Sequence, residues 1–312
     1  MTSQATLRAP VFCHGALLYA APDDFCEAVR EFAQAGDHDG EPVLIASAGL
    51  NLRRLRPQLA ADGMKLAWSG LPNAGINPRR ITAAIRAFAD DYAGQAIRVV
   101  QEPAWHLLPP DELREAVRHE ALVNLALGGI RAAVLCGYDA RLEAGTLPCA
   151  QRTHPVVAQD GRWQLSHSYD PDAVVPAECE PPLSSPPEHA AAMLYRHDQA
   201  AARHFAAEHA HRAGLSAERV TDVILAVSEL AGNTLVHTSG PGTLTVWATS
   251  NEIICQVHDG GHLRNPLAGT RRHDPDATGA GSGLWMANQL CDLAEIRTGT
   301  GGTTIRLHFR LT

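Results

Sequence analysis

The chain has 312 residues, a length that suggests about two domains. Its 45% hydrophobic and 19% charged residues are ordinary for a globular protein with a sizeable core. A formal net charge of -8 argues against direct nucleic-acid binding, which usually needs a basic excess. No run approaches 18 consecutive apolar residues, so no membrane span is expected. The first residues lack a basic-then-apolar leader pattern, so a cytoplasmic protein is expected. The 7 cysteines (Cys13, Cys26, Cys136, Cys149, Cys179, Cys255 and Cys291) are scattered and contain no C-x-x-C pair. That pattern offers neither a disulfide framework nor metal-site spacing, and it reads as reduced thiols.

The first half alternates short apolar runs with helical stretches. Residues 42–46 (PVLIA) predict a buried strand, and 52–59 a helix-like segment. Residues 78–93 predict a helix, with Ile81, Ile85, Phe88 and Tyr92 at helical spacing. Residues 97–101 (IRVVQ) predict a second strand and 111–127 a helix with an acidic first turn. Residues 130–136 (IRAAVLC) predict a third strand. Strands alternating with helices suggest βαβ units on a parallel sheet.

Residues 170–187 then carry six prolines with Ser184 and Ser185 between them, a composition suited to a semi-extended linker. A helix is expected over 187–213, stopped by Gly214. Ser216 is placed to cap the next helix, whose apolar stripe runs Val220, Val223, Ile224, Val227, Leu230 and Leu235. Residues 243–249 and 252–258 alternate as strands, as do Ile305, Leu307, Phe309 and Leu311 against Arg306, His308 and Arg310. These strands predict an antiparallel sheet with helices on one side.

Four local signals follow one another in this second half. Glu229 and Asn233 stand at i and i+4, so both project from one helical face. A carboxylate there can orient or deprotonate a hydroxyl, and an Asn oxygen can complete a Mg²⁺ shell. Taken alone, the pair is more simply a solvated polar face, because Glu-x-x-x-Asn is a common spacing. Asp259-Gly-Gly261 follows an apolar strand, where a carboxylate can accept an adenine amino group and glycine lets the base approach. Taken alone it is also a turn dipeptide. Gly279-Ala-Gly281-Ser282-Gly283-Leu284 opens an apolar helix and offers amides to an anion, though no Lys follows as in a Walker loop. The polar stretch 262–278 before it, with Arg264, Arg271, Arg272 and His273, reads as a mobile lid over phosphates. Thr300-Gly-Gly-Thr303-Thr304 turns into the last strand.

The order of these signals resembles the GHKL (Bergerat) ATP-binding fold of gyrase-type ATPases and histidine kinases. Within it, the stretch Leu225-Ala-Val-Ser-Glu-Leu-Ala-Gly-Asn233-Thr-Leu-Val-His237 is similar to the N-box of bacterial anti-sigma-factor serine kinases. The resemblance covers about residues 193 to 312. It implies ATP and Mg²⁺ as cofactors, Glu229 as the catalytic residue and Asn233 as the Mg²⁺ ligand. It implies Asp259 as the adenine reader, with Thr304 near adenine. Gly261, Gly279, Gly281, Ser282, Gly283, Leu284 and His237 complete the implied pocket. Two departures are Thr234, where a small apolar residue is more usual, and Gly232 inside the helix.

The first half carries His14, Glu102 at a strand end, Glu120 and Asn124 on one helix face, Cys136-Gly-Tyr138-Asp139 and His154-Pro155. Over about residues 10 to 170 this set resembles the MEDS sensory domain of methanogen and methylotroph regulators. That resemblance implies a RecA-like α/β module sensing a small molecule, with His14, Glu102 and His154 as candidate ligand contacts. The expected architecture is therefore an α/β parallel-sheet domain over 10–170, a linker over 171–187, and an α+β GHKL domain over 188–312.

The implied function is phosphorylation of an anti-anti-sigma partner by a serine/threonine kinase under sensor control. Two alternatives stand beside it: a non-catalytic, nucleotide-dependent switch that binds a sigma factor, and a ligand sensor with a vestigial ATP site. A homodimer is compatible with either, and a membrane partner is not expected.

Overall fold

The computed structural model describes residues 12–47, 49–71, 77–103, 105–142, 144–159, 161–174, 183–196, 198–271 and 282–311. Two compact units divide the chain: residues 1–76 with 84–176, and residues 177–312 with 77–83. No described helix is long and apolar enough to cross a membrane.

The first unit is a seven-stranded sheet built from β1 (Phe12–Tyr19), β2 (Val43–Ser47), β3 (Leu66–Trp68), β4 (Ile97–Gln101), β5 (Ala132–Asp139), β6 (Val156–Gln159) and β7 (Arg162–Leu165). The strand order is β3-β2-β4-β5-β1-β6-β7, parallel except for the final β6–β7 hairpin. The connecting helices are α1 (Pro22–Asp39), α2 (Leu50–Ala61), α3 (Pro78–Asp91, counted in this unit from Ala84 onward), α4 (Pro110–Leu127) and α5 (Leu147–Thr153). β5 lies between β4 and β1 and is buried along its whole length. A strand covered on both faces needs the near-continuous apolar run that Ala-Ala-Val-Leu-Cys supplies. Phe25, Val29 and Phe32 of α1 pack with Leu52, Leu55 and Leu59 of α2 in one core cluster of this unit.

The second unit begins with a departure from expectation. Where the sequence predicts one helix over 187–213, the structure has β8 (Ala191–Tyr195) followed by α6 (Gln199–Arg212). Asp198 caps α6 by accepting from the Ala201 amide at 2.8 Å. The Ala-Ala-Met-Leu-Tyr run pairs with β9 (Gly242–Ala248), and that edge pairing overrides the helix propensity of its alanines. β10 (Glu252–Asp259), β11 (Leu293–Gly299) and β12 (Gly302–Arg310) complete an antiparallel sheet ordered β11-β12-β10-β9-β8. α7 (Ala217–His237) packs against both α6 and α8 (Ser282–Leu290). Ser216 caps α7 as expected, accepting from the Arg219 amide at 3.3 Å. The helices bury Val220, Val223, Val227 and Leu230 against Leu244, Val246, Cys255, Val257, Leu307 and Phe309 of the sheet.

The opposite face of this sheet holds a buried charge cluster. His308 lies 3.1 Å from both Glu252 and Glu295, and Arg306 lies 3.6 Å from Glu295. Burial alone would lower the His308 pKa, but the two carboxylates outweigh it and raise it from 6.5 to about 9. Burial would likewise raise Glu295, yet His308, Arg306 and Arg297 hold it below the usual carboxylate range. A raised histidine stabilises the fold fully below its unfolded pKa and loses that contribution as pH climbs through its folded pKa. The protein should therefore lose stability between about pH 6.5 and 9, by on the order of 3 kcal/mol. Chemical denaturation across that window checks this, and His308→Gln should flatten the profile.

Candidate functional site

α7 brings Glu229 and Asn233 to one side, one turn apart and half-buried. Gly283, the second residue of α8, sits directly against them. A Cβ on Gly283 would lie 2.5 Å from Glu229 Oε2 and 3.4 Å from Asn233 Oδ1. Glycine is thus what lets the start of α8 approach both side chains. Ser282 is exposed beside it, and Leu284 is buried in the helix–sheet core. His237 is exposed at the last position of α7.

Asp259 closes β10 and is held from two sides. Its Oδ2 accepts from the Thr234 hydroxyl at 2.7 Å, and its Oδ1 accepts from the Gly261 amide at 2.9 Å. Thr234 in turn lies 2.9 Å from the Tyr195 hydroxyl. Since Thr234 donates to the carboxylate, Tyr195 donates to Thr234, and a Tyr–Thr–Asp chain fixes the acid. Burial, and the charge of Asp259, raise the Tyr195 phenol above its ordinary pKa despite that bond, which keeps it a donor. The unusual Thr234 of the N-box-like stretch thereby has a structural role. Gly232, the other departure, faces Gln199 at the start of α6, where a Cβ would come within 3.0 Å of Nε2.

The last strand places its two threonines on opposite faces of the sheet. Thr304 pairs with His258 and hydrogen-bonds its Nδ1 at 2.9 Å, on the sheet face away from Asp259. Thr303 pairs with Asp259 and shares its face. The Thr303 hydroxyl donates to the Gly261 carbonyl at 3.0 Å and lies 2.9 Å from the Thr298 hydroxyl. Gly302 begins this strand at φ +112, and a Cβ there would meet the Asp259 carbonyl oxygen at 2.1 Å.

Gly279 and Gly281 lie outside the described residues, as do Arg272, His273 and the rest of 272–278 from the expected lid. The described part of that stretch is anchored: Gly269, at φ +76, gives its carbonyl to the Asn288 side chain of α8 at 3.0 Å. Beside the Gly283 cradle, the Asn233 amide oxygen is a donor that suits Mg²⁺, and the Glu229 carboxylate can accept a proton. The arrangement is compatible in chemistry with a Mg-nucleotide: Asn233 offers an amide oxygen beside Gly283, and Asp259 offers a carboxylate held in place.

The sensor candidates of the first unit do not fall in one place. Glu102 caps α2: its carboxylate accepts from the Asn51 amide at 3.1 Å and the Leu52 amide at 2.8 Å. A Cβ on Gly49 would lie 2.5 Å from that carboxyl carbon. Glu102 therefore fills the helix end where a phosphate would otherwise dock. Burial raises its pKa even though those amides lower it.

His14 and His154, by contrast, converge, with ring centroids 4.0 Å apart. Glu120 and Cys136 join them, every one of the four buried. Burial lowers the His14 pKa to about 4, although its bond to Asn124 raises it, and lowers His154 to about 3. Burial pushes the Cys136 thiol well above 9.0, with Glu120 adding to the rise. Cys13, Cys26, Cys136, Cys255 and Cys291 are free thiols. The grouping of Glu120 and Cys136 with the two histidines was not expected from sequence, because positions 14, 120, 136 and 154 are distant in the chain.

Comparison with known proteins agrees with both halves. Residues 13–155 match the family model of the MEthanogen/methylotroph, DcmR Sensory (MEDS) domain. Residues 195–309 match the histidine kinase-like ATPase domain. No curated protein matches the chain. Among solved structures, the RsbU and RsbW domains of Rv1364c from Mycobacterium tuberculosis are 22% identical, with a TM-score of 0.30 over 40% of this chain and 33% of that one. A DnaB-like replicative helicase, solved with its primase interactions, is 11% identical, with a TM-score of 0.30 over 84% of this chain and 58% of that one. The chain thus spans less than two thirds of either structure. It joins a MEDS sensory domain, matched over residues 13–155, to a histidine kinase-like ATPase domain, matched over residues 195–309.

Proposed function

We propose that this protein is an anti-sigma-factor-type serine/threonine kinase that uses Mg·ATP to phosphorylate an anti-anti-sigma partner, under control of a small molecule sensed by its first domain. The observation that carries the reading is the meeting of Glu229, Asn233 and Gly283 at the junction of α7 and α8, with Asp259 fixed by Thr234 and Gly261. The family match supports nucleotide binding, and the N-box-like run supports the anti-sigma subclass.

In this reading the domains span 10–170 and 188–312, joined by a cytoplasmic linker over 171–187. Asn233 holds the Mg²⁺ and Asp259 accepts from the adenine amino group. Gly261 lets the base approach Asp259, and Gly279, Gly281, Ser282, Gly283, Leu284 and His237 complete the pocket. Mg·ATP supplies the phosphoryl group. Glu229 orients the attacking hydroxyl and takes its proton, so that positioning rather than covalent chemistry carries the reaction. Thr303 joins Asp259 on the base side in place of Thr304.

Calorimetric titration of Mg·ATP into the full chain, with Asn233→Ala as control, tests the nucleotide site. Binding to the wild type that weakens at least about 10-fold in the variant is the expected result. Absent wild-type binding would mean a vestigial pocket. Radiolabel transfer to a co-expressed anti-anti-sigma protein then tests the kinase. ATP-dependent capture of a sigma factor without transfer would replace the kinase with a binding switch.

A further inference from the structure

Four side chains with metal-ligating chemistry meet inside the first unit: His14 on β1, Glu120 on α4, Cys136 on β5 and His154 directly after α5. Their exposures are 0%, 1%, 0% and 0%. β1 and β5 run parallel with His14 beside Val134 and Ala16 beside Cys136, so both ligating residues point from one face of the sheet. All four donor atoms lie within 4.8 Å of one another. His14 Nε2 is 3.3 Å from Cys136 Sγ and 3.3 Å from Glu120 Oε2. Cys136 Sγ is 3.6 Å, and His154 Nε2 3.7 Å, from the same Oε2. A tetrahedral shell with bonds of about 2.0–2.3 Å sets its donors roughly 3.3–3.8 Å apart. These four separations all fall in that range.

Hydrogen bonds outside the cluster assign the proton on each imidazole. The Asn124 Nδ2 group donates to the carbonyls of Glu120, Ala121 and Thr153 at 3.1, 3.3 and 2.8 Å. Its Oδ1 therefore accepts from His14 Nδ1–H at 3.2 Å. His154 Nδ1 lies 2.8 Å from the Ala150 carbonyl, which can only accept. Both rings thus turn an Nε2 lone pair into the cluster. His154 Nε2 is fully buried and has no hydrogen-bond partner among the described residues. Two lone pairs, a carboxylate and one thiol aimed at a common point are short of positive charge. Backbone and carboxamide partners on the far ring nitrogens are the supports that metal-bound histidines use. The Gln101 side chain, 3.5 Å from Cys136 Sγ and itself 3.0 Å from His119, steadies the sulfur.

We propose that His14, Glu120, Cys136 and His154 form a closed, buried site for a divalent cation of the zinc class. Two imidazoles, a thiolate and a carboxylate are borderline donors that favour zinc over Mg²⁺ or Ca²⁺. Binding forms the metal–sulfur bond and releases the thiol proton to solvent. The cation ties β1, α4, β5 and the end of α5 together.

The test uses the full chain, purified without chelator or polyhistidine tag. After incubation with Zn²⁺ and desalting, elemental analysis should find about one equivalent per chain. Cys136→Ser and His154→Ala should retain less than about a tenth of that, while Cys26→Ser should retain all of it. Asn124→Ala, a positioning change, should weaken affinity about 10- to 100-fold. X-ray absorption at the zinc edge of the wild type needs no variant and should show one sulfur among three nitrogen or oxygen neighbours. A wild type that retains no metal overturns the proposal, and so does a first shell without sulfur.

Discussion

Glu229→Ala should keep Mg·ATP affinity within about threefold while phosphotransfer falls by about 10²- to 10⁴-fold, the range a general base contributes. The structure separates the two effects. Glu229 lies against the Gly283 cradle, while Asp259 is held by Thr234 and Gly261, so the base end of the pocket survives its truncation. Removing the carboxylate also opens space beside Gly283 rather than closing it. Paired calorimetry and radiolabel transfer read both quantities on one preparation. Transfer within tenfold of wild type would remove Glu229 from the chemistry. Glu229→Gln keeps the shape without the charge and should fail as the alanine variant does.

Gly302→Ala should cost about 3 kcal/mol or more in stability and weaken ATP binding with it. At φ +112 an L side chain is strained wherever it sits. A Cβ here would also stand 2.1 Å from the Asp259 carbonyl oxygen, a backbone atom with no freedom to rotate away. The hairpin must shift or β10 must move, and either displaces Asp259 from Thr234 and Gly261. Gly301, one residue earlier, has open space around it and no positive φ, so Gly301→Ala is the matched control. Equal denaturation midpoints for the two variants would refute the assignment.

What the sequence made legible tracks how local each signal is. The i, i+4 placement of Glu229 and Asn233 and the Ser216 cap depend only on neighbours within a turn or two, and α7 carries them as expected. The sequence predicts helix at β8 because Ala191-Ala192-Met193-Leu194-Tyr195 has no strong strand propensity of its own. Its partner lies some 50 positions downstream, across two helices. Choosing between Thr303 and Thr304 needed the parity of a strand with period two, and that parity is set by the turn at Gly302. The polar residues of the first half were each visible singly. Their convergence depends on the strand order β4-β5-β1-β6, which no spacing of cysteines or histidines announces. Glu102 stood at a strand end where ligands bind in such sheets, and the structure spends it on the α2 amides instead.

That last feature bears on which signals the chain can receive. An α/β sheet of this kind ordinarily offers the helix after β2 as a berth for nucleotide phosphates. Here the berth carries its own tethered anion, at an effective concentration no free phosphate can match. Nucleotide phosphates therefore find no open amides at the start of α2. A phosphorylated ligand of this unit must therefore be recognised away from the N-terminus of α2.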